Sequence, residues 1–472
     1  MLALCAANAA YLAGLESGIP GGACLVAGAG GPLAQMLRRN EVVATTLDEH
    51  PDMLRAIDGA LSSGVVLGAA PVVDLLEQVG CDAVLPFKCG PRLWTMAEFQ
   101  GLRVLAVEPK LTRQLENKLA LAELAQAADA RIPDTVTVSL DDALVQAARA
   151  DGIALPRVFQ PAIGFAGAGT VLLREPRDVE MLVAHAPGGV RVGKLVEYVD
   201  GEPVTVNGVV IPPGTHGAGD DGQVLVGMVA RQLTGIRGLT PTDFGSCGND
   251  WSSPPPRASV TAARSLAGRV GEVLARRGFA GAFGIDIVLP AGGGVPVLIE
   301  INPRWTASLA LQVELQQLAG LPTLLDAHLA AFAYHPDERA PLTALIEAYG
   351  PEEDAACTRT RFDASTVIAY NASGRDTLVD PAFEPGVWQV ASSADGPVDI
   401  ERVRDGWRFD DLAADDEILV LPHGIVRPVS HGAYLVRIVR RGPAASSPRA
   451  NELREDVRSI MDAVLARVFL RS

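Results

Sequence analysis

Two apolar segments joined by a short turn, GIDIVLP and VPVLIEINPR with AGGG between them, carry three oxygen-donor side chains. Asp286 interrupts the first segment, and Glu300 and Asn302 stand two apart in the second. On a strand, residues two apart share a face, so Glu300 and Asn302 point together while Ile299 and Ile301 point into a core. The turn folds the strands onto each other and brings Asp286 near both. Two carboxylates and an amide oxygen are hard donors that suit Mg²⁺ and leave room for phosphate oxygens and water. Uncompensated carboxylates in apolar strands are costly, which favours a metal. The plainer alternative is a set of polar edge-strand groups facing water.

A second element is Gly164-Phe165-Ala166-Gly167-Ala168-Gly169-Thr170, flanked by apolar segments and predicted to be a hairpin tip. Its glycines let the backbone approach a ligand, and successive N–H groups can nest an anion. An ordinary flexible hairpin fits the same residues. No Gly-Lys-Ser/Thr follows, so this is not a Walker A loop. Cys247 and His216 stand alone in loop-like segments. No base accompanies the cysteine, and an isolated histidine carries little information, so both are read as loop residues.

These residues need positioning elements. From Ala23 to about Lys110, apolar runs at Cys24–Gly28, Val42–Thr46, Val65–Ala69, Ala83–Phe87 and Arg103–Glu108 alternate with helical stretches. That pattern predicts a small α/β domain with a largely parallel sheet. Gly28-Ala29-Gly30-Gly31-Pro32 reads as a strand-to-helix turn. Leu33 stands where a dinucleotide fingerprint needs its third glycine, so no nicotinamide site is expected. A helix is predicted over about Glu116–Ala128, with Asn117 and Lys118 near its start. Antiparallel strands follow between Val192 and Val229, with Asp200-Gly201 and Asn207-Gly208 as hairpin turns. Thr240–Pro256 reads as a long functional loop, and a helix is expected around Thr261–Arg277. Residues 350–442 read as short strands of a separate β-rich unit. The chain closes on an amphipathic helix with Leu453, Val457, Ile460, Met461, Val464, Leu465 and Val468 on one face.

In this order, helix with Asn117-Lys118, Gly-rich hairpin, LVEYVDGE, MVARQ and then Asp…Glu-x-Asn-Pro-Arg, the sequence resembles the ATP-grasp superfamily over roughly residues 110–335. The resemblance implies an α/β and α+β multidomain chain. Residues 1–112 form a Rossmann-like domain before the ATP-grasp domain, 113–345 the ATP-grasp domain with lobes 113–190 and 191–345, and 346–472 the C-terminal unit. It implies ATP and Mg²⁺ (or Mn²⁺) as cofactors, with Asp286, Glu300 and Asn302 as metal ligands. Lys118 matches the phosphate-contacting lysine. Gly164, Gly167, Gly169 and Thr170 match the phosphate-covering loop, and Glu197, Tyr198 and Val199 match the adenine-recognising linker. Arg304, with Arg231 beside it, matches a catalytic arginine that steadies phosphate charge. Two positions depart from the pattern. Gln160 stands where many members have a lysine, and the acidic ribose position falls on Pro203 with Glu202 one residue early.

The activity implied is ADP-forming ligation of a carboxylate to an amine through an acyl phosphate, on amino-acid-like substrates in a specialised biosynthetic pathway. Biotin-carboxylase-like chemistry and a degenerate ATP-binding regulator are the alternatives. The C-terminal unit is expected to cover the substrate site or to pair subunits into a homodimer. The bulk numbers agree: 472 residues with 48% hydrophobic and 20% charged residues are a soluble globular balance. A net charge of −16 without a basic run argues against nucleic-acid partners. No apolar stretch reaches membrane-span length, so no membrane partner is expected. Six scattered cysteines predict a reducing cytoplasm. The apolar N-terminus lacks an early Lys or Arg and is expected to be a packed first helix rather than a signal peptide.

Overall fold

The computed structural model describes residues 1–57, 61–161, 169–185, 191–215, 222–335, 338–350, 355–380, 382–391, 398–423 and 428–469. The chain begins with a strand, β1 (Leu2–Asn8), where a helix was expected. Its neighbours in the first sheet are β2 (Ala23–Ala29), β3 (Val43–Thr46), β4 (Ala83–Pro86) and β5 (Arg103–Val104), in parallel order β3-β2-β1-β4-β5. A continuous run of small apolar residues has no period that separates strand from helix. Burial on both faces of a parallel sheet decides it here. The run at Val65–Ala69, expected as a strand, lies at a short helix over Ser63–Leu67, where Ser62 accepts a hydrogen bond from the Val65 N–H at 3.3 Å. The turn after β2 is as expected, and Gly30 takes φ 112° there. The following helix N-terminus is filled by the chain itself. Asp48 accepts from the N–H groups of Gly30 at 3.0 Å and Gly31 at 3.1 Å.

A four-stranded antiparallel sheet forms the small lobe. Its strands β6 (Thr135–Ser139), β7 (Arg157–Pro161), β8 (Val171–Leu173) and β9 (Val192–Glu197) run in the order β6-β9-β7-β8. The predicted helix over 116–128 is broken at Asn117, whose ψ of 112° leaves the helical region. One helix ends at Glu116, Lys118–Ala120 form a tight turn, and another helix covers Leu121–Ala127.

Asp200-Gly201 is not a hairpin turn but the crossing from β9 into a second, larger sheet. A Cβ on Gly201 would lie 2.2 Å from the Leu289 carbonyl oxygen, so only glycine passes. That sheet contains β10 (Gly201–Ile211), β11 (Gln223–Thr234), β12 (Ser246–Asp250), β13 (Gly281–Pro290), β14 (Val297–Asn302), β15 (Ala364–Tyr370), β16 (Gly386–Ala391), β17 (Asp399–Arg404), β18 (Glu417–Pro422) and β19 (Tyr434–Arg441). The order is β14-β13-β10-β11-β12-β15-β19-β18-β16-β17, antiparallel throughout.

Asn207-Gly208 lies inside β10 as an irregularity of register, not as a turn. The expected loop at Thr240–Pro256 contains β12, which pairs with β11 on one side and β15 on the other. The sheet therefore continues past residue 346. The helix Arg257–Arg276 buries Leu266, Val270, Val273 and Leu274 against this sheet. Each such side chain stabilises the fold by roughly 1.5–3 kcal/mol. The terminal helix Glu455–Val468 buries Val457, Ile460, Met461, Val464 and Val468, the face read from the sequence. Among the described residues no helix is long and apolar enough to cross a membrane.

Candidate active site

The β13–β14 hairpin forms and sets Asp286 directly opposite Glu300, with Asn302 opposite Gly284; an irregularity of register beside Asp286 turns Ile299, expected in the core, to the cleft, and Leu298 and Ile301 fill the core instead. All three side chains line one cleft between the small lobe and the large sheet. Asp286 Oδ1 accepts from the Thr205 hydroxyl at 2.9 Å and from the Gln232 amide at 3.0 Å. Its Oδ2 accepts from the Asn302 amide at 3.3 Å. Burial first, then the charge of Glu300, push the Asp286 carboxyl up to about 6, against the Thr205 hydrogen bond and the charges of Arg304 and Lys118. Two carboxylates opposed across a strand pair, one of them strained towards protonation, are relieved by a divalent cation. The residues thus fit a Mg²⁺ site. Among the described residues no group of three or more His, Cys, Asp and Glu is gathered anywhere, in keeping with a donor set that includes an amide.

Cations surround this pair. Lys118 is buried with its Nζ 3.4 Å from Glu300 Oε1. Arg304 donates to Asn302 Oδ1 at 2.8 Å, to the Trp305 carbonyl at 3.0 Å and to Glu116 at 3.2 Å. Glu116 also accepts from Lys88 at 3.2 Å. Burial would raise the Glu116 carboxyl, but Arg304 and Lys88 outweigh it and hold it below the usual range. The Arg304 guanidinium lies 6.0 Å from the Phe87 ring centroid, at the limit of cation–π attraction.

The small lobe supplies the opposite wall. Gln160 on β7 and Lys194 on β9 are register partners, and both face the cleft. Thr170, just before β8, joins them. Gly169 beside it has φ +75°, a conformation that favours glycine. Glu197, Tyr198 and Val199 form the edge, over an apolar floor of Ile132, Val158, Val196 and Ile299. Gly164, Gly167 and His216 lie outside the described residues.

Glu202 and Arg231 are not part of the lining. They form an ion pair with each other, while Pro203 between Glu202 and Val204 faces the cleft. The strand alternation places the acidic side chain on the far face. Cys247 is fully buried away from the cleft, donates to the Leu233 carbonyl at 3.4 Å, and has its thiol pushed up to about 12 by burial.

Sequence reasoning missed Lys194, Thr205 and Gln232, and also Tyr11, Phe87 and Tyr370 at the far end of the cleft. Lys194 had a signal, a lone cation in the apolar strand VGKLVE. The three rings come from distant parts of the chain and had none.

A family model for the ATP-grasp domain matches residues 115–308. No curated protein matches the chain in sequence. Among solved structures, the biotin carboxylase domain of Hydrogenobacter thermophilus 2-oxoglutarate carboxylase, a dimer in complex with MgADP, ADP and bicarbonate, is 15% identical with a TM-score of 0.55, covering all of this chain and 90% of that one. Phosphoribosylamine–glycine ligase from Thermotoga maritima is 13% identical with a TM-score of 0.53, covering 99% and 96%. N5-carboxyaminoimidazole synthase from Aspergillus clavatus, in complex with ADP and 5-aminoimidazole ribonucleotide, is 11% identical with a TM-score of 0.52, covering 98% of each chain. At these identities the likeness is one of fold. With the domain match over the hairpin and cleft, it shows that residues 115–308 form an ATP-grasp domain, in a chain whose fold as a whole is similar to these structures.

Proposed function

We propose that the chain joins a carboxylate to an amine, with ATP cleaved to ADP and phosphate and an acyl phosphate as the intermediate. The observation that carries this reading is the Asp286–Glu300 pair, opposed across the hairpin in a cleft that also holds Lys118 and Arg304. Such a group serves phosphoryl transfer, which needs positioning and charge neutralisation more than a protein nucleophile. Mg²⁺ held by Asp286, Glu300 and Asn302 would supply positive charge to the phosphate oxygens. Ile132, Val158 and Val196 accept an adenine ring, with Glu197, Tyr198 and Val199 at its edge. Lys118 neutralises phosphate charge. Arg304, held by Asn302 and Glu116, steadies the carboxylate as the γ-phosphoryl group passes to its oxygen. The amine then attacks the acyl carbon, phosphate leaves, and the amine's proton is released. Gly164 and Gly167 belong to the same proposal as parts of a phosphate-covering loop.

Amino-acid-like substrates, a division at residues 112 and 345, a cytoplasmic setting and a homodimer complete the reading. No feature of the cleft favours carboxylation over amide formation, and the fold likeness to biotin carboxylases is matched by that to an amine ligase. The test is ADP release with Mg²⁺-ATP and pools of amino acids and small carboxylic acids, followed by mass spectrometry. A condensed product minus one water is expected. AMP and pyrophosphate would overturn the acyl-phosphate route, and bicarbonate-dependent turnover stimulated by biotin would replace ligation by carboxylation.

A further inference from the structure

Lys194 is a buried cation that forms no ion pair of its own among the described residues. Its side chain is 4% exposed, and its ammonium donates to the backbone carbonyl of Lys118 at 3.2 Å. Among the described residues it has no ion-pair partner. The carboxylate that acts on it, Glu300, is already engaged by Lys118 at 3.4 Å. Two buried ammonium groups therefore share one carboxylate. An ammonium buried without its own counter-charge destabilises the folded chain until one arrives. The same imbalance shows in its acidity: burial first, then the charge of Lys118, pull Lys194 down from 10.5 to about 8.

The cleft offers a counter-charge a route in. Lys194 and Val196 point to the same side of β9, and both line the cleft; Leu195 between them packs into the small lobe's own core. Across the strand pair, the register partner of Lys194 is Gln160, also in the cleft and also buried. An amide there can donate a hydrogen bond but brings no charge. The pair thus presents one ammonium and one neutral donor side by side, facing the carboxylates of the β13–β14 hairpin.

Resting on the nucleotide reading of this cleft, we infer that Lys194 is a phosphate-binding residue of the chain, placed on β9 and supplying the positive charge that Gln160 on β7 lacks. With Lys118 it makes a two-ammonium cradle for the polyphosphate, and its role is to recognise the phosphates, not the nucleoside. Lys194→Gln should therefore weaken binding of a non-hydrolysable ATP analogue with Mg²⁺ by about 10–100-fold and leave adenosine binding unchanged.

The test is calorimetric titration of the full chain with that analogue and with adenosine. It covers the wild type, Lys194→Gln, Lys194→Met and the double variant Gln160→Lys/Lys194→Gln. The expected result is loss of analogue affinity alone in both single variants and recovery of at least tenfold in the double variant, because the two positions are cross-strand neighbours. Melting curves establish that each variant is folded. Analogue affinity unchanged in Lys194→Gln, or equal losses for analogue and adenosine, would overturn the assignment, as would a double variant with no recovery. If the wild type bound neither ligand, the nucleotide reading itself would fall. That outcome is distinct from wild-type binding that is indifferent to Lys194.

Discussion

Replacing Asp286 with Asn distinguishes a carboxylate kept for chemistry from one kept for structure, because the two roles give opposite signs for stability. In the metal-free protein, burial and Glu300 lift this carboxyl from 3.8 to about 6. Holding it ionised at neutral pH then costs the folded state at most about 3 kcal/mol, and less because an edge of the side chain still meets the cleft. The substitution removes that cost. It keeps an oxygen for the Thr205 and Gln232 donors and loses the 3.3 Å contact from Asn302, worth about 1 kcal/mol. The net expectation is a gain of about 1–2 kcal/mol in urea unfolding with a chelator present. The pH dependence fixes the sign independently. A group whose folded pKa is raised contributes stability below 3.8 that is lost as pH rises through about 6. Wild type should therefore lead the variant by about 1 kcal/mol below 3.8, cross it at about pH 4.5, fall behind as pH rises through about 6, and stay behind by a constant margin above. Mg²⁺-ATP turnover of the variant should drop by roughly 100-fold or more. A variant that is less stable at pH 7.5 yet keeps its turnover would refute the reasoning.

Other consequences follow from the same geometry. Arg304→Lys keeps the charge but loses the fork that spans Asn302, Glu116 and the Trp305 carbonyl, so single-turnover ADP formation should slow by roughly 10–100-fold. An unchanged rate would mean the fork is irrelevant. Glu202→Gln leaves Arg231 largely buried without its partner. It should cost about 2 kcal/mol in urea unfolding, below the 3–5 of a fully buried pair. Nucleotide affinity should shift less than threefold, and a large loss would return Glu202 to the binding site. His328 accepts from the Ala282 N–H and lies 3.1 Å from the Leu105 carbonyl, and burial pulls it down to about 4. Its unfolded form takes a proton near 6.5, so stability is complete above that pH and falls by about 2 kcal/mol at pH 5. A His328→Gln variant whose urea midpoint falls between pH 7.5 and 5 as far as wild type's would show that the loss comes from elsewhere.

How much of this was legible depended on whether the information was local. The β13–β14 hairpin was readable because the turn and the odd polar residues lie within one short segment, and the period puts Glu300 and Asn302 together; it failed only at Ile299, which an irregularity of register turns to the cleft. The terminal helix was readable for the same reason. β1 was misread because a run of small apolar residues is compatible with helix or strand until its partners are known. β12 was hidden because Ser, Gly and Asn look like loop. It is a strand only because β11 and β15 flank it. Asn207-Gly208 had the composition of a hairpin turn, but a long strand absorbed it as an irregularity of register. Within the site, one-residue parity mattered most. Pro203 faces the cleft and Glu202 does not, and no composition argument makes that choice without the register.

The position of the cleft follows from how charge is divided between the two walls. The large sheet contributes Asp286, Glu300 and Asn302, and the small lobe contributes Lys194, Gln160 and Thr170. Lys118 stands at the join, its ammonium on Glu300 and its carbonyl on Lys194. A cation on one wall alone would be repelled by the lysines, and a polyphosphate on the other alone would be repelled by the carboxylates. On the proposed function, the two ligands together would satisfy both walls, the ammonium groups offering charge to phosphate oxygens and the carboxylates holding the divalent ion. Binding of metal and nucleotide should therefore be strongly coupled, each tightening the other by the same factor as linkage requires. The coupling should weaken in Lys194→Gln and collapse in Asp286→Asn, and calorimetric titration of each ligand with and without the other measures it. Independent binding of metal and nucleotide in the wild type would show that the two walls do not work as one site.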